Sequence, residues 1–284
     1  MKNKDVFPWF CAVALALTLL VLPAAARAAM YVEGYLGGVT GANINQNFNY
    51  HNTELPKLPP PAPPPLPPDS QLFIPVNGQI TPAVVGGFKI GTWFVPEGVL
   101  GCQNYPSWMK YLGFYFDLSY HRLSVINSQI TATDYNDDGT LHGPFGVRFK
   151  SDGRVLTFAF MFSGRYGFLP DAEVPFGRLQ PYVGVGPAIL TVTMAPNLQL
   201  FAGDTLRGVA KPDAQTMVVP ALVADVGVRY MLLRNVSIDA SFRYRYATLN
   251  HSFNFADTFG NPTHANFSPT LNLLSGQLGV ALHF

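Results

Sequence analysis

TLNLLSGQLGVALHF, residues 270–284, ends the chain on an aromatic and alternates with period two. Phe284, Leu282, Val280, Leu278, Gly276 and Leu274 fall on one face; His283, Ala281, Gly279, Gln277 and Ser275 fall on the other. Side chains alternate across a strand, so this spacing predicts a β-strand with one apolar face and one small or polar face. Such a strand could close a soluble sandwich. It also suits a membrane barrel, where the apolar face meets lipid and the other lines a narrow lumen. The rest of the chain decides between them.

Residues 1–28 read as a secretory signal peptide. Lys2 and Lys4 open it, an apolar run from Val6 to Val21 follows, Pro23 breaks the helix, and Ala26-Arg27-Ala28 forms a small-residue cleavage site. Removing it leaves 15 basic and 16 acidic residues, a balance unlike that of a nucleic-acid binder. Charged residues make up only 12% of the chain, against roughly a quarter in soluble proteins. No later segment is an unbroken apolar helix of bilayer length. Low charge, high aromatic content and no spanning helix point to a closed barrel, because unpaired backbone groups in hydrocarbon are too costly for any open alternative. The mature chain keeps one cysteine, Cys102, and so has no internal disulfide.

Seven further segments repeat the pattern: Tyr31–Thr40, Pro82–Phe94, Tyr111–Val125, Arg154–Phe168, Gln180–Thr193, Thr216–Leu232 and Val236–Thr248. In the third, Leu112, Phe114, Phe116, Leu118 and Tyr120 alternate with a face expected to hold every charge. The fifth is apolar or small on both faces; Thr191 and Thr193 place its odd positions inward, leaving Tyr182, Leu190 and Val192 outward. Residues 41–81 read as one long extracellular loop whose middle, 56–68 (PKLPPPAPPPLPP), cannot be a spanning strand, since proline donates no ladder hydrogen bond. Polar loops are expected over 126–153, 194–215 and 249–268. Eight strands with alternating long and short connections predict an all-β, eight-stranded antiparallel up-and-down transmembrane barrel over residues 29–284. Outward aromatics then form two interfacial girdles: Phe94, Tyr166, Phe168, Tyr230 and Phe284 at the periplasmic end, Tyr120, Tyr244 and Tyr246 at the outer end.

The inward register collects Glu33, Lys89, Asp117, His121, Arg165, Asp225, Arg229, Asp239, Arg243 and Arg245. An eight-stranded barrel is only wide enough for side chains to fill, and an unpaired buried charge is costly. These groups are therefore expected to pair as a structural network; the alternative is a narrow pore.

Four stretches carry a family resemblance: YVEGYLGG after the leader, LQPYVGVGPAI in the fifth strand, NVSIDASFRYRY in the seventh, and the terminal alternation ending on Phe284. Together they make the mature chain similar to the small outer-membrane β-barrel family, the group that includes the OmpA transmembrane domain and the opacity and Ail/Lom-type surface proteins. The resemblance implies a bacterial outer-membrane location. It also implies that the terminal strand, through Phe284, Leu282 and Val280, is read by the barrel assembly machinery. The Pro-rich loop and the long connection around Cys102 depart from the family's pattern.

No catalytic motif stands out. Asp134-Tyr-Asn136-Asp-Asp138-Gly139 matches the opening of a calcium loop, but Phe145 stands where the bidentate Glu belongs. The close Ser/His pairs are His121 with Ser124 and His251 with Ser252, neither within a recognisable motif. The resulting expectation is a non-enzymatic surface scaffold without cofactor or metal. Its partners would be outer-membrane lipid, the assembly machinery and an unnamed surface ligand. A small-solute channel and a lipid acyl hydrolase or acyltransferase are the alternatives.

Overall fold

The structure is a computed structural model describing residues 30–42, 44–52, 71–95, 105–127, 130–135, 141–202, 205–256 and 262–284. Residues 1–28, expected to be a leader, the Pro-rich stretch 56–68, Cys102 and residues 136–139 of the calcium-like stretch lie outside the described residues.

Fourteen strands are described, in chain order. They are β1 (Met30–Gly41), β2 (Ile44–Asn52), β3 (Gln71–Ile80), β4 (Ala83–Trp93), β5 (Leu112–Asn127), β6 (Ile130–Tyr135) and β7 (Leu141–Arg165). Then follow β8 (Leu179–Ala202), β9 (Thr205–Ala210), β10 (Gln215–Leu233), β11 (Val236–Thr248), β12 (His251–Ala256), β13 (Pro262–Phe267) and β14 (Thr270–His283). A 3-10 turn, Ser107–Tyr111, precedes β5.

Eight of the strands close a ring. β1 pairs β4, β4 pairs β5, β5 pairs β7, β7 pairs β8, β8 pairs β10, β10 pairs β11, β11 pairs β14, and β14 returns to β1, every pair antiparallel. Partners can be followed once round, through Met30, Thr92, Phe114, Phe162, Val185, Ala224, Tyr244, Leu274 and Thr40. The path comes back to β1 ten residues above its start. Eight strands with that stagger tilt by about 40° and enclose a bore that side chains alone can fill. The chain is thus a closed transmembrane β-barrel. The start of β1 and the residue after β14 meet at one rim, where the Phe284 N–H donates to the Met30 carbonyl at 2.9 Å.

The outer wall carries Leu36, Phe116, Phe158, Phe162, Val226, Phe242, Leu278 and Val280, all exposed. Unbroken apolar surface on this scale marks a lipid-facing wall. Along β7 and the bridge that continues it to Phe168, the outward residues from Leu156 rise about 30 Å along the axis at about 3.3 Å per residue and that tilt, the thickness of a bilayer core. Outward aromatics stand at both borders. Tyr166 and Phe168 are exposed at the lower rim, with Tyr111 stacked on Tyr166 at 5.6 Å; Tyr120, Tyr244 and Tyr246 are exposed at the upper.

Three expectations are corrected, and each traces to the wall above the upper border. The fifth membrane strand, part of β8, has the opposite register: Tyr182, Leu190 and Val192 are buried inside, and the odd positions face out. The polar loops are largely strand. β7 and β8 run well past the lipid band, β2 and β3 form a hairpin within 41–81, and β6, β9, β12 and β13 add further pairs. Arg122 on β5 points outward, so the inward face does not hold every charge of that strand. All three have one cause. Above the membrane the outside is water, so the polarity of the wall inverts. Thr191, Thr193, Asn197 and Gln199 face out, while Leu190, Val192, Met194 and Leu198 are buried. Phe149, Phe253 and Phe267 join them in an apolar core that continues above the bilayer.

Candidate functional site

The interior is built on β11, whose inward residues, from the lower rim upward, are Ser237, Asp239, Ser241, Arg243, Arg245 and Ala247. Each faces partners delivered by the neighbouring strands through the register. Glu33 on β1 lies opposite Lys89 on β4, and Lys89 lies opposite Asp117 on β5. Asp225 and Arg229 on β10 lie opposite Arg243 and Asp239.

Two ionic clusters result. In the lower, Lys89 Nζ donates to Glu33 Oε1 at 2.6 Å and Arg229 Nη2 donates to Glu33 Oε2 at 2.6 Å. Asp239 stands 3.5 Å from Lys89 and 3.4 Å from Arg229, and it accepts the Tyr182 hydroxyl at 2.8 Å. In the upper, Arg243 bridges Asp117 at 2.7 Å and Asp225 at 3.3 Å. The Tyr35 hydroxyl donates to Asp117 at 2.8 Å, and Tyr115 donates to Asp225. All of these charged groups are buried. At this burial the attraction has to be supplemented by hydrogen bonds. Tyr35 and Tyr115 add theirs to the oxygens that face Arg243, Asp117 Oδ2 and Asp225 Oδ2, and both Oδ1 atoms stay without a hydrogen-bond partner among the described residues.

Two arginines stand outside the ion pairs. Arg165, at the lower mouth, donates to Gln180 at 2.9 Å and packs against two rings, its guanidinium carbon 3.7 Å from the centre of Trp93 and 4.2 Å from that of Phe176. Arg245 donates to Ser275 at 3.1 Å and Ser119 at 3.3 Å, with no described carboxylate in ion-pair range. His121 lies above it and its Nδ1 is 3.0 Å from the Arg122 carbonyl.

Tyr182, placed outward by the sequence reading, is therefore part of the network. The signal that could have found it is a glycine. Tyr182 lies opposite Gly227 and Tyr31 opposite Gly91, both inward positions where a strand ordinarily carries a side chain. A Cβ on Gly227 would stand 2.7 Å from the Tyr182 ring, and one on Gly91 would stand 2.6 Å from the Tyr31 ring. Each glycine leaves the space its partner's ring occupies.

Little room remains. Between Tyr31, Lys89, Trp93, Tyr115, Tyr182 and Arg229 there is a cavity of about 10 Å³, enough for one water. From the level of Arg245, which Val223 faces in the register, upward, the bore is packed with Val85, Leu123, Val155, Leu190, Val223 and Leu271, all buried. The larger recesses, lined by Leu36, Val84, Phe88 and Leu278 among others, lie on the outer wall between lipid-facing side chains.

The candidate catalytic pairs are not brought together. His121 faces in, while the Ser124 hydroxyl, outside, donates to Asp152 at 3.0 Å. His251 is buried and Ser252 is exposed, as strand alternation requires of neighbours. Of the terminal residues, Leu282 and Val280 project outward into the lipid-facing band, and Phe284 is half-buried at the rim.

No protein-family model matches the chain, and no curated protein is similar to it. Among solved structures the chain is similar to the crystal structure of Neisserial surface protein A (NspA), with 12% identity, a TM-score of 0.32, and coverage of 90% of this chain and 97% of that one. It is likewise similar to the outer membrane protein OprG from Pseudomonas aeruginosa, with 11% identity, a TM-score of 0.40, and coverage of 89% and 96%. The N-terminal β-barrel domain of Pseudomonas aeruginosa OprF follows, with 12% identity, a TM-score of 0.30, and coverage of 89% and 97%. The fold assignment rests on the chain's own closed ring of strand pairs.

Proposed function

We propose that this protein is an integral outer-membrane barrel of a Gram-negative-type bacterium, exported by its leader, that acts as a non-enzymatic surface scaffold. The supporting observation is the packing of the bore among the described residues: two ionic clusters below, with a cavity for about one water between Lys89 and Arg229, and an apolar plug above. A barrel packed in this way holds its wall rigid and presents whatever its upper rim carries. That rim is large, because β2, β3, β6, β9, β12 and β13 and the upper parts of β5, β7, β8 and β10 extend the sheet into water. It is the surface offered to a macromolecular ligand. Phe284, Leu282 and Val280 serve as the segment read by the assembly machinery, and the inward charges other than His121 (Glu33, Lys89, Asp117, Arg165, Asp225, Arg229, Asp239, Arg243 and Arg245) serve as a structural network.

Planar-bilayer recording of the refolded full chain tests the reading against a channel. The scaffold reading expects a silent membrane. Conductance steps whose size changes in Asp225→Asn or Arg243→Gln would replace it with a pore. Lipid mass spectra altered by the protein but not by its His121→Ala and His251→Ala variants would replace it with a lipid-modifying enzyme.

A further inference from the structure

Arg122 on β5 and Arg154 on β7 are directly opposite each other in the register, both exposed on the outer wall. Like charges directly opposite across a strand pair repel. No described carboxylate lies in ion-pair range of either. Asp152, diagonal to Arg122 in the register, lies within its electrostatic reach, but its direct contacts go to Lys150, at 3.2 Å, and to Ser124, from which it accepts at 3.0 Å. The charge is local. Outward positions near this height on the other strands carry Thr40, Thr191, Thr193, Thr216, Thr248 and Asn272. Directly beneath the arginines the next outward pair is Tyr120 and Leu156, where the lipid band begins. Below these an aromatic ridge descends the same two strands, with ring centres 5.9 Å apart for Phe116 and Phe158, 5.0 Å for Phe116 and Phe160, and 4.8 Å for Phe160 and Phe162.

We infer that Arg122 and Arg154 together form a seat for the phosphorylated headgroup of a membrane lipid whose acyl chains lie along the Phe116–Phe158–Phe160–Phe162 ridge. An anion between the two guanidiniums turns the cross-strand repulsion into two charge-assisted contacts, and the planar fork of arginine suits a phosphate. The height selects a lipid over a soluble anion. The arginines stand at the border of the apolar wall, where a headgroup is held while its chains remain in the bilayer.

The test uses the refolded full chain in phosphatidylcholine bilayers containing a trace of spin-labelled phosphatidic acid or spin-labelled phosphatidylcholine, with electron spin resonance reporting the lipid immobilised at the wall. The wild type should hold phosphatidic acid about fivefold or more over phosphatidylcholine, the effect of one or two basic groups at a membrane surface. Arg122→Gln/Arg154→Gln should bring the ratio close to one, and Arg122→Lys/Arg154→Lys should keep most of it. Arg234→Gln, on the opposite rim, should leave it unchanged. Heat-modifiable gel mobility confirms that each variant is a folded barrel, and the single Gln variants read the same quantity if the double variant does not fold. No selectivity in the wild type, or equal selectivity in the Gln variants, overturns the proposal. So does loss of selectivity in millimolar inorganic phosphate, which would make the site one for a free anion.

Discussion

Arg243 and Arg245 sit two residues apart on β11 with both side chains buried, yet their surroundings differ in kind. Arg243 holds Asp117 and Asp225, so deleting its charge leaves two carboxylates in the bore without their cation. Arg245 has only serine hydroxyls, so deleting its charge removes a desolvated cation and strands no anion. Arg243→Met should therefore cost about 3–5 kcal/mol in urea unfolding from lipid or detergent, whereas Arg245→Met should change stability by no more than about 1 kcal/mol or raise it. Equal losses in the two variants would mean that the network is not what holds the arginines. The same contrast explains what the sequence disclosed of this site. Alternation along β11 puts both arginines inside without any structure. Which of them owns a carboxylate depends on cross-strand register and on barrel stagger, and neither is written in a single strand.

Among the elements, β14 has the most consequential position, since it pairs with β11 on one side and with β1 on the other and so closes the ring. Deleting Phe284 should lower the outer-membrane level of the protein far more than deleting 56–68, measured by fractionation and heat-modifiable mobility; equal levels would deny the terminus its assembly role. The eight membrane strands were legible because each meets lipid on one face and a polar bore on the other, a contrast that Tyr111–Val125 and Val236–Thr248 display almost without exception. The upper strands were not, because that contrast reverses where the wall leaves the bilayer. His251, Ser252, Phe253 and Asn254 on β12 alternate well, but with the apolar residues inward as in a soluble sheet. Thr191 and Thr193 misled for the same reason. Their polarity is right for a residue facing water, and above the border that water lies outside the wall. A strand crossing from lipid into solvent carries two opposite patterns, and one register rule applied along its whole length must fail on one side.

For the molecule as a whole, the reversal means that the bore is stopped twice by unlike materials. The lower stop is polar: it depends on Glu33, Lys89, Arg229 and Asp239 and on Arg243 with its two aspartates. The upper stop is the apolar packing of Val85, Leu123, Val155, Leu190, Val223 and Leu271. On the scaffold reading proposed above, the first should refuse ions because its acids and bases are already paired with one another, and the second because an apolar constriction offers nothing in place of a hydration shell. The two act in series, so opening either alone should leave the barrel closed. Asp225→Ala/Arg243→Ala removes an acid and a base together and keeps the net charge of the bore; it should be as silent as the wild type in planar bilayers. Adding Leu123→Ser and Leu271→Ser, which wet the upper packing, should produce discrete conductance steps, while the two Ser substitutions alone should not. Steps from the Asp225→Ala/Arg243→Ala barrel by itself would show that the upper core does not seal, and that the ionic clusters are the gate of a channel.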